Sequence, residues 1–128
     1  MTLAQHATYQ AVQATTADPA RVTLLLFDGA ARFLRQAEAG LERNDPAAFT
    51  YPIARAQAII VELAIALDYE RGGDVAANLG RLYDFMLRHL TEGLMARSRD
   101  HVARVLTLLQ DVRAGFEGAI GAEGSHAA

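Results

Sequence analysis

The 128-residue chain contains no cysteine, no tryptophan and, because all twelve of its basic residues are arginine, no lysine. Each absence removes a class of chemistry. Without cysteine neither a disulfide framework nor a thiolate metal site can form, and a reducing compartment suits the composition. Without lysine there is no Schiff base and no phosphate-loop ammonium, and without tryptophan one common stacking group is gone. No stretch reaches eighteen uninterrupted apolar residues. Met1 to Gln10 has neither the basic cluster nor the long apolar run of a secretory signal, so the chain is expected to stay in the cytoplasm without inserting into a membrane. The net charge is only −3. The arginines are spread along the chain instead of clustering, which argues against nucleic-acid binding.

What is present is apolar residue in helical rhythm. At 52% apolar, a chain of this length can build one core without staples. Asp18-Pro19 is a helix start, the carboxylate accepting backbone N–H bonds and the proline sitting where no donor is needed. Val22, Leu26, Ala30, Phe33, Ala37 and Leu41 then predict a helix from about 19 to 42. Asp45-Pro46 repeats the signal before Phe49, Ile53, Ala56, Ile60, Leu63 and Leu67, with Pro52 predicting either a kink or a short first piece. Gly72-Gly73 reads as a tight turn, with Asp74 capping a third helix striped by Val75, Leu79, Leu82, Met86 and Leu90 and ending near Ala96. Ser98 or Asp100 caps a fourth, carrying Val102, Val105, Leu109, Val112, Phe116 and Ile120. The expected fold is all-α: an antiparallel four-helix bundle over 18–120, a loosely attached N-terminal segment over 1–17, and a disordered tail over 121–128.

Catalytic and metal signatures are sparse. Bundle metal sites need Glu-x-x-His motifs on two helices, and of the seven glutamates only Glu123, near the chain end, has a histidine three residues on, His126. His89 with Glu92 is the reversed spacing, and one such pair cannot hold a metal alone. His101 reads as a surface residue near a helix start, and His6 and His126 lie near the two chain ends. Ser98 and the threonines have no elbow or oxyanion motif beside them. The reading is therefore of a protein that is not an enzyme and has no cofactor.

Two features point instead to a partner. Gly29 sits inside the first predicted helix, where it costs about 1 kcal/mol relative to alanine, which suggests a close approach by a neighbouring helix or a partner. The second and third helices also carry more apolar surface than one stripe uses: Ile59, Val61 and Ile65 on the second, Leu87 and Leu94 on the third. A bundle helix needs an apolar face of only about 100°. The surplus suits a groove for amphipathic segments, with self-association of the bundle as the alternative.

The stretch Leu24-Leu25-Leu26-Phe27-Asp28-Gly29-Ala30-Ala31-Arg32-Phe33-Leu34 has Tyr9-Gln10 upstream of it. Downstream come Ala56-Gln57-Ala58-Ile59-Ile60-Val61-Glu62-Leu63 and Leu82-Tyr83-Asp84-Phe85-Met86. In order and spacing, from about residue 8 to residue 118, this resembles the FliS-type flagellin export chaperones. The resemblance implies an antiparallel helical bundle in the bacterial cytosol. It would bind the disordered C-terminal segment of flagellin one to one, prevent premature polymerisation, and support export through the flagellar type III secretion apparatus. Other flagellar proteins are further candidate partners. It also implies a binding surface with Gln57, Ile60 and Leu63 on the second-helix wall and Leu79, Tyr83 and Met86 on the third. Tyr9 and Gln10 fall in a region that caps the bundle beside that surface. Phe27 stands where the family usually has tyrosine, and Asp18 where it commonly has serine.

Overall fold

The computed structural model describes residues 18–127, which form α1 (Pro19–Glu42), α2 (Pro46–Ile65), α3 (Tyr69–Ala96) and α4 (Arg99–Ala127). The expected segment 1–17, with Tyr9 and Gln10, lies outside the described residues. Each helix begins with a side chain accepting a backbone N–H three residues on. Asp18 accepts from Arg21 at 3.4 Å, Asp45 from Ala48 at 3.3 Å, Asp68 from Arg71 at 3.0 Å and Ser98 from His101 at 3.3 Å. Pro19 and Pro46 occupy first-turn positions, where the missing donor is harmless. Connections of two or three residues force neighbours to run antiparallel. The pairs α1–α2, α2–α3, α3–α4 and α4–α1 pack side by side and close the ring.

Three boundaries differ from the sequence reading. The third helix starts at Tyr69 under an Asp68 cap, not at Asp74, because Gly73 interrupts the helix instead of ending it. Its torsions, φ 49° and ψ −126°, are open only to glycine, and one turn of helix precedes the break. Pro52 does not delimit α2, which runs as one helix from Pro46 to Ile65. The fourth helix continues to Ala127, past 120 where the apolar stripe ends. A Cβ added at Gly118 or Gly121 would meet nothing within 4 Å, so the pattern marks the end of packing and not the end of the hydrogen-bond ladder.

The core is built from Phe27, Ala30, Leu34 and Ala37 of α1, Phe49, Ile53, Ala56, Ile60 and Leu63 of α2, Tyr83, Met86 and Leu90 of α3, and Val102, Val105 and Leu109 of α4. Full burial of the Phe, Leu, Ile, Val and Met side chains among them stabilises by about 1.5–3 kcal/mol each. The α2 and α4 stripes fall where periodicity puts them. On α1 the inward face is turned by one position, so that Phe27 and Leu34 are buried while Leu26 and Phe33 pack at the margin. On α3 Tyr83 is inside, Leu82 is only partly covered and Val75 is exposed.

Close approach of helices is achieved at Gly40 and Gly93, not at Gly29. A methyl on Gly29 would meet only the tip of Ile59, at 3.4 Å. A methyl on Gly40 would be driven into the Ala48 carbonyl and to 2.9 Å from the Phe49 nitrogen. The Ala48 carbonyl is the one that a residue other than proline at position 52 would engage. Pro52 leaves it free and Gly40 of α1 covers it. Gly93 makes the equivalent approach to α4, where an added methyl would come within 2.6 Å of the His101 Cβ. Both glycines open a turn of the same build. Gly40 accepts from Asp45 N at 3.1 Å with Asn44 at φ 56°, and Gly93 accepts from Ser98 N at 2.9 Å with Arg97 at φ 50°. The antiparallel order puts both turns at one end of the bundle.

Polar links are peripheral. Arg113 of α4 clasps Asp28 of α1 at 2.7 Å, and Arg99 reaches Glu42 at 2.6 Å and Glu38 at 3.4 Å, so α4 is tied to α1 at two levels. No buried side-chain nitrogen or oxygen among the described residues lacks a partner. The glycine geometry gives a direct expectation. Gly40→Ala should destabilise by about 1–3 kcal/mol through overpacking against backbone. Gly29→Ala should be neutral or stabilising by up to about 1 kcal/mol. Chemical denaturation midpoints of the two variants check this, and a reversed order would refute the assignment of the close contact.

Candidate functional site

At the end opposite the two glycine turns the bundle is not filled. An apolar cavity of about 620 Å³ opens between the start of α1, the end of α2, the start of α3 and the later half of α4. Its cause is side-chain size. Beyond Val112 the inward face of α4 offers Gly115 and Ala119, and the facing part of α3 offers Gly72 and Ala76, so little projects into the middle. A Cβ at Gly115 would meet nothing within 4 Å. Phe27 and Phe116, ring centroids 6.3 Å apart, line the α1–α4 side. The polar groups at the rim are few, among them Asp68 and Arg71, an exposed pair 3.7 Å apart.

Leu63, Leu79 and Tyr83, three of the residues singled out in the sequence, meet at this cavity. Tyr83 is 3% exposed. Loss of hydration pushes its phenol up to about 12 from 10.0. Ile60 and Met86 lie elsewhere, sealed in the core with no exposed surface. Gln57 is half-buried at the α2–α3 seam, where its Nε2 donates to the Leu87 carbonyl at 3.2 Å and the Thr91 hydroxyl at 2.9 Å and so fastens α2 to α3. Periodicity identifies which residues face inward but not where the interior is empty. Of the missed cavity residues, Phe116 is an ordinary stripe member by pattern, while Phe27 and Ala76 each lie one position beside the stripe read for their helix. The signal that would have found the opening is the shared loss of bulk at Gly72-Gly73 and at Gly115-Gly118.

A second apolar surface adjoins the first. By length and composition α2 is apolar enough to cross a membrane, yet only 33% of that stretch is buried. Its outward residues Ala54, Ala58, Val61 and Ile65 recur at helical spacing, all exposed, with Ile65 at 78%. This stripe runs to the point where Ala66 and Leu67 enter the cavity lining. The surplus expected on α2 is thus outward for Val61 and Ile65, whereas Ile59 packs at the edge of the core. The surplus expected on α3 is not outward: Leu87 and Leu94 pack against the core.

A sequence model of the family described as flagellar protein FliS matches residues 1–123. The chain belongs to the FliS family. Among similar FliS-family proteins, the flagellar secretion chaperone FliSB of Pseudomonas aeruginosa is 37% identical over 106 residues, covering 83% of this chain and 84% of that one. The flagellar secretion chaperone FliS of Bacillus subtilis is 31% identical over 115 residues, 90% and 85% of the two chains. The Salmonella typhimurium FliS chaperone is 35% identical over 98 residues, 76% and 73%. FliS relatives are thus chaperones of flagellar export, and their names denote no enzyme.

The Tyr83 environment predicts a pH dependence. A phenol whose folded value is raised contributes stability that is complete below about pH 10 and is lost as pH rises toward about 12. Tyr83→Phe should flatten that loss in denaturation curves taken across this window, and an unchanged slope would remove Tyr83 as its source.

Proposed function

We propose that the client of this flagellar export chaperone is flagellin, and that the chain binds the disordered C-terminal segment of flagellin one to one in the bacterial cytosol. It thereby prevents premature polymerisation and supports export through the flagellar type III secretion apparatus. The observation that carries this reading is an open apolar cavity continuous with an exposed apolar helix face. A segment that packs against its own kind in a filament has apolar stripes to bury, and this surface supplies a substitute wall. Ordering a disordered guest costs entropy, so affinity comes from contact spread over a broad surface instead of from one polar anchor. Sequestration needs no bond-making step. Residues carrying the guest are Leu63, Leu79 and Tyr83 at the cavity and Val61 and Ile65 on α2. Gln57, Ile60 and Met86 act by holding the α2 and α3 walls in place. Tyr9 and Gln10, outside the described residues, are included among the guest-binding residues on the family resemblance alone.

Exposed positions give the clean test. Ile65 is 78% and Val75 67% exposed, so a charge at either leaves the fold intact. Ile65→Asp and Val75→Asp should each weaken binding of a flagellin C-terminal peptide by about tenfold or more, because the new carboxylate would be desolvated without a partner. Calorimetric titration reads the affinity and circular dichroism the fold. Wild-type affinity in both variants would defeat the proposed surface. Ile60→Asp, by contrast, reports on folding, since that side chain has no exposed surface.

A further inference from the structure

The glycine-closed end of the bundle carries a cluster with metal-ligand chemistry. His89 and Glu92 are one turn apart near the end of α3, and His101 enters from the first turn of α4. One ligand atom from each lies within 4.8 Å of the others. Glu92 Oε2 stands 3.7 Å from His89 Nδ1 and 3.8 Å from His101 Nε2. A tetrahedral zinc ion with bonds of about 2.0–2.1 Å needs ligand atoms about 3.3–3.4 Å apart, so these two pairs are within about half an ångström of the required spacing. The sequence alone shows an isolated pair, His89 with Glu92. The third donor arrives only because Gly93 lets the His101 Cβ come so close to α3.

We propose that His89, Glu92 and His101 form a binding site for a divalent ion of the zinc class, bridging α3 to α4 with a fourth position left open. Two imidazoles and one carboxylate favour a borderline metal such as zinc over magnesium or calcium, which prefer all-oxygen shells. The surroundings orient the donors. Ser98 Oγ lies 2.7 Å from His101 Nδ1, and with Nδ1–H donating to it the Nε2 lone pair is free for the ion. His89 is held between the Phe85 ring, 4.9 Å away, and the His101 ring, 4.1 Å away. The two imidazole planes, 21° apart, must fan open for their lone pairs to converge. His101, with its side chain 29% exposed, and Glu92, 66% exposed, have the room to move, while His89 at 13% is the fixed member. Arg104 is within electrostatic reach of His89 and opposes a cation, so affinity falls below that of thiolate-rich sites. The ion would fasten the α3–α4 turn and stabilise the fold by mass action.

Calorimetric titration of the full chain with zinc chloride should give one equivalent bound and a raised thermal midpoint. Glu92→Gln, at an exposed position that cannot unfold the bundle, and His101→Gln should each weaken binding by tenfold or more and abolish the thermal shift. His6→Gln and His126→Gln, which remove the other two histidines, should bind like the parent. Cobalt(II) in place of zinc should show the visible absorption of a four-coordinate ion, lost in Glu92→Gln. Absence of binding in the parent, or equal binding in the Glu92 and His101 variants, would overturn the site. Because it lies at the opposite end from the cavity, its failure would leave the flagellin reading untouched.

Discussion

The contact of Gly40 with the carbonyl of Ala48 sets the shape on which the rest depends. There α1 and α2 meet backbone to backbone, whereas further along the pair the Ile59 side chain stands between Gly29 and α2. Gly93 and His101 repeat the approach for α3 and α4 at the same end. At the opposite end only bulky side chains could fill the space between the helices. The chain does not provide them. It has Gly72, Ala76, Gly115 and Ala119 there, and the result is an apolar cavity in place of a closed core. The cavity is open to solvent, so its apolar lining is surface that another apolar segment could cover.

Pro52 takes part in the same contact. A proline inside a helix ordinarily breaks a hydrogen bond and bends the axis, but α2 is continuous through it. The carbonyl it leaves without an intrahelical donor is the one that Gly40 covers. The peripheral links then hold the walls without filling the interior: Arg113 with Asp28 and Arg99 with Glu38 and Glu42 fasten α1 to α4, and the Gln57 amide fastens α2 to α3.

Much of this is legible in the sequence because it is local. Asp18-Pro19 and Asp45-Pro46 announce helix starts through the chemistry of capping, and α1 spans the residues that its stripe implies. The α2 core set of Phe49, Ile53, Ala56, Ile60 and Leu63 follows from spacing alone. What escapes is relational. A one-position turn of α1 about its axis exchanges Leu26 for Phe27 and Phe33 for Leu34, and only the neighbours decide which wins. Tyr83 is inside because helices on either side of α3 cover it, a fact of the packing and not of one helix. The resemblance points to α2 and α3 as walls, yet it cannot say that Ile60 and Met86 face the core while Val61 and Ile65 face out. Gly73 reads as the end of a turn because a glycine pair gives the same local signal whether it separates two helices or interrupts one.

The interruption at Gly73 has a mechanical consequence for the cavity mouth. The first turn of α3, from Tyr69 to Gly72, is attached to the remainder through one residue whose torsions no other amino acid accepts. Asp68, Arg71 and Gly72 border the opening, so the width of that doorway is governed by a pivot in the main chain and not by the density of side chains behind it.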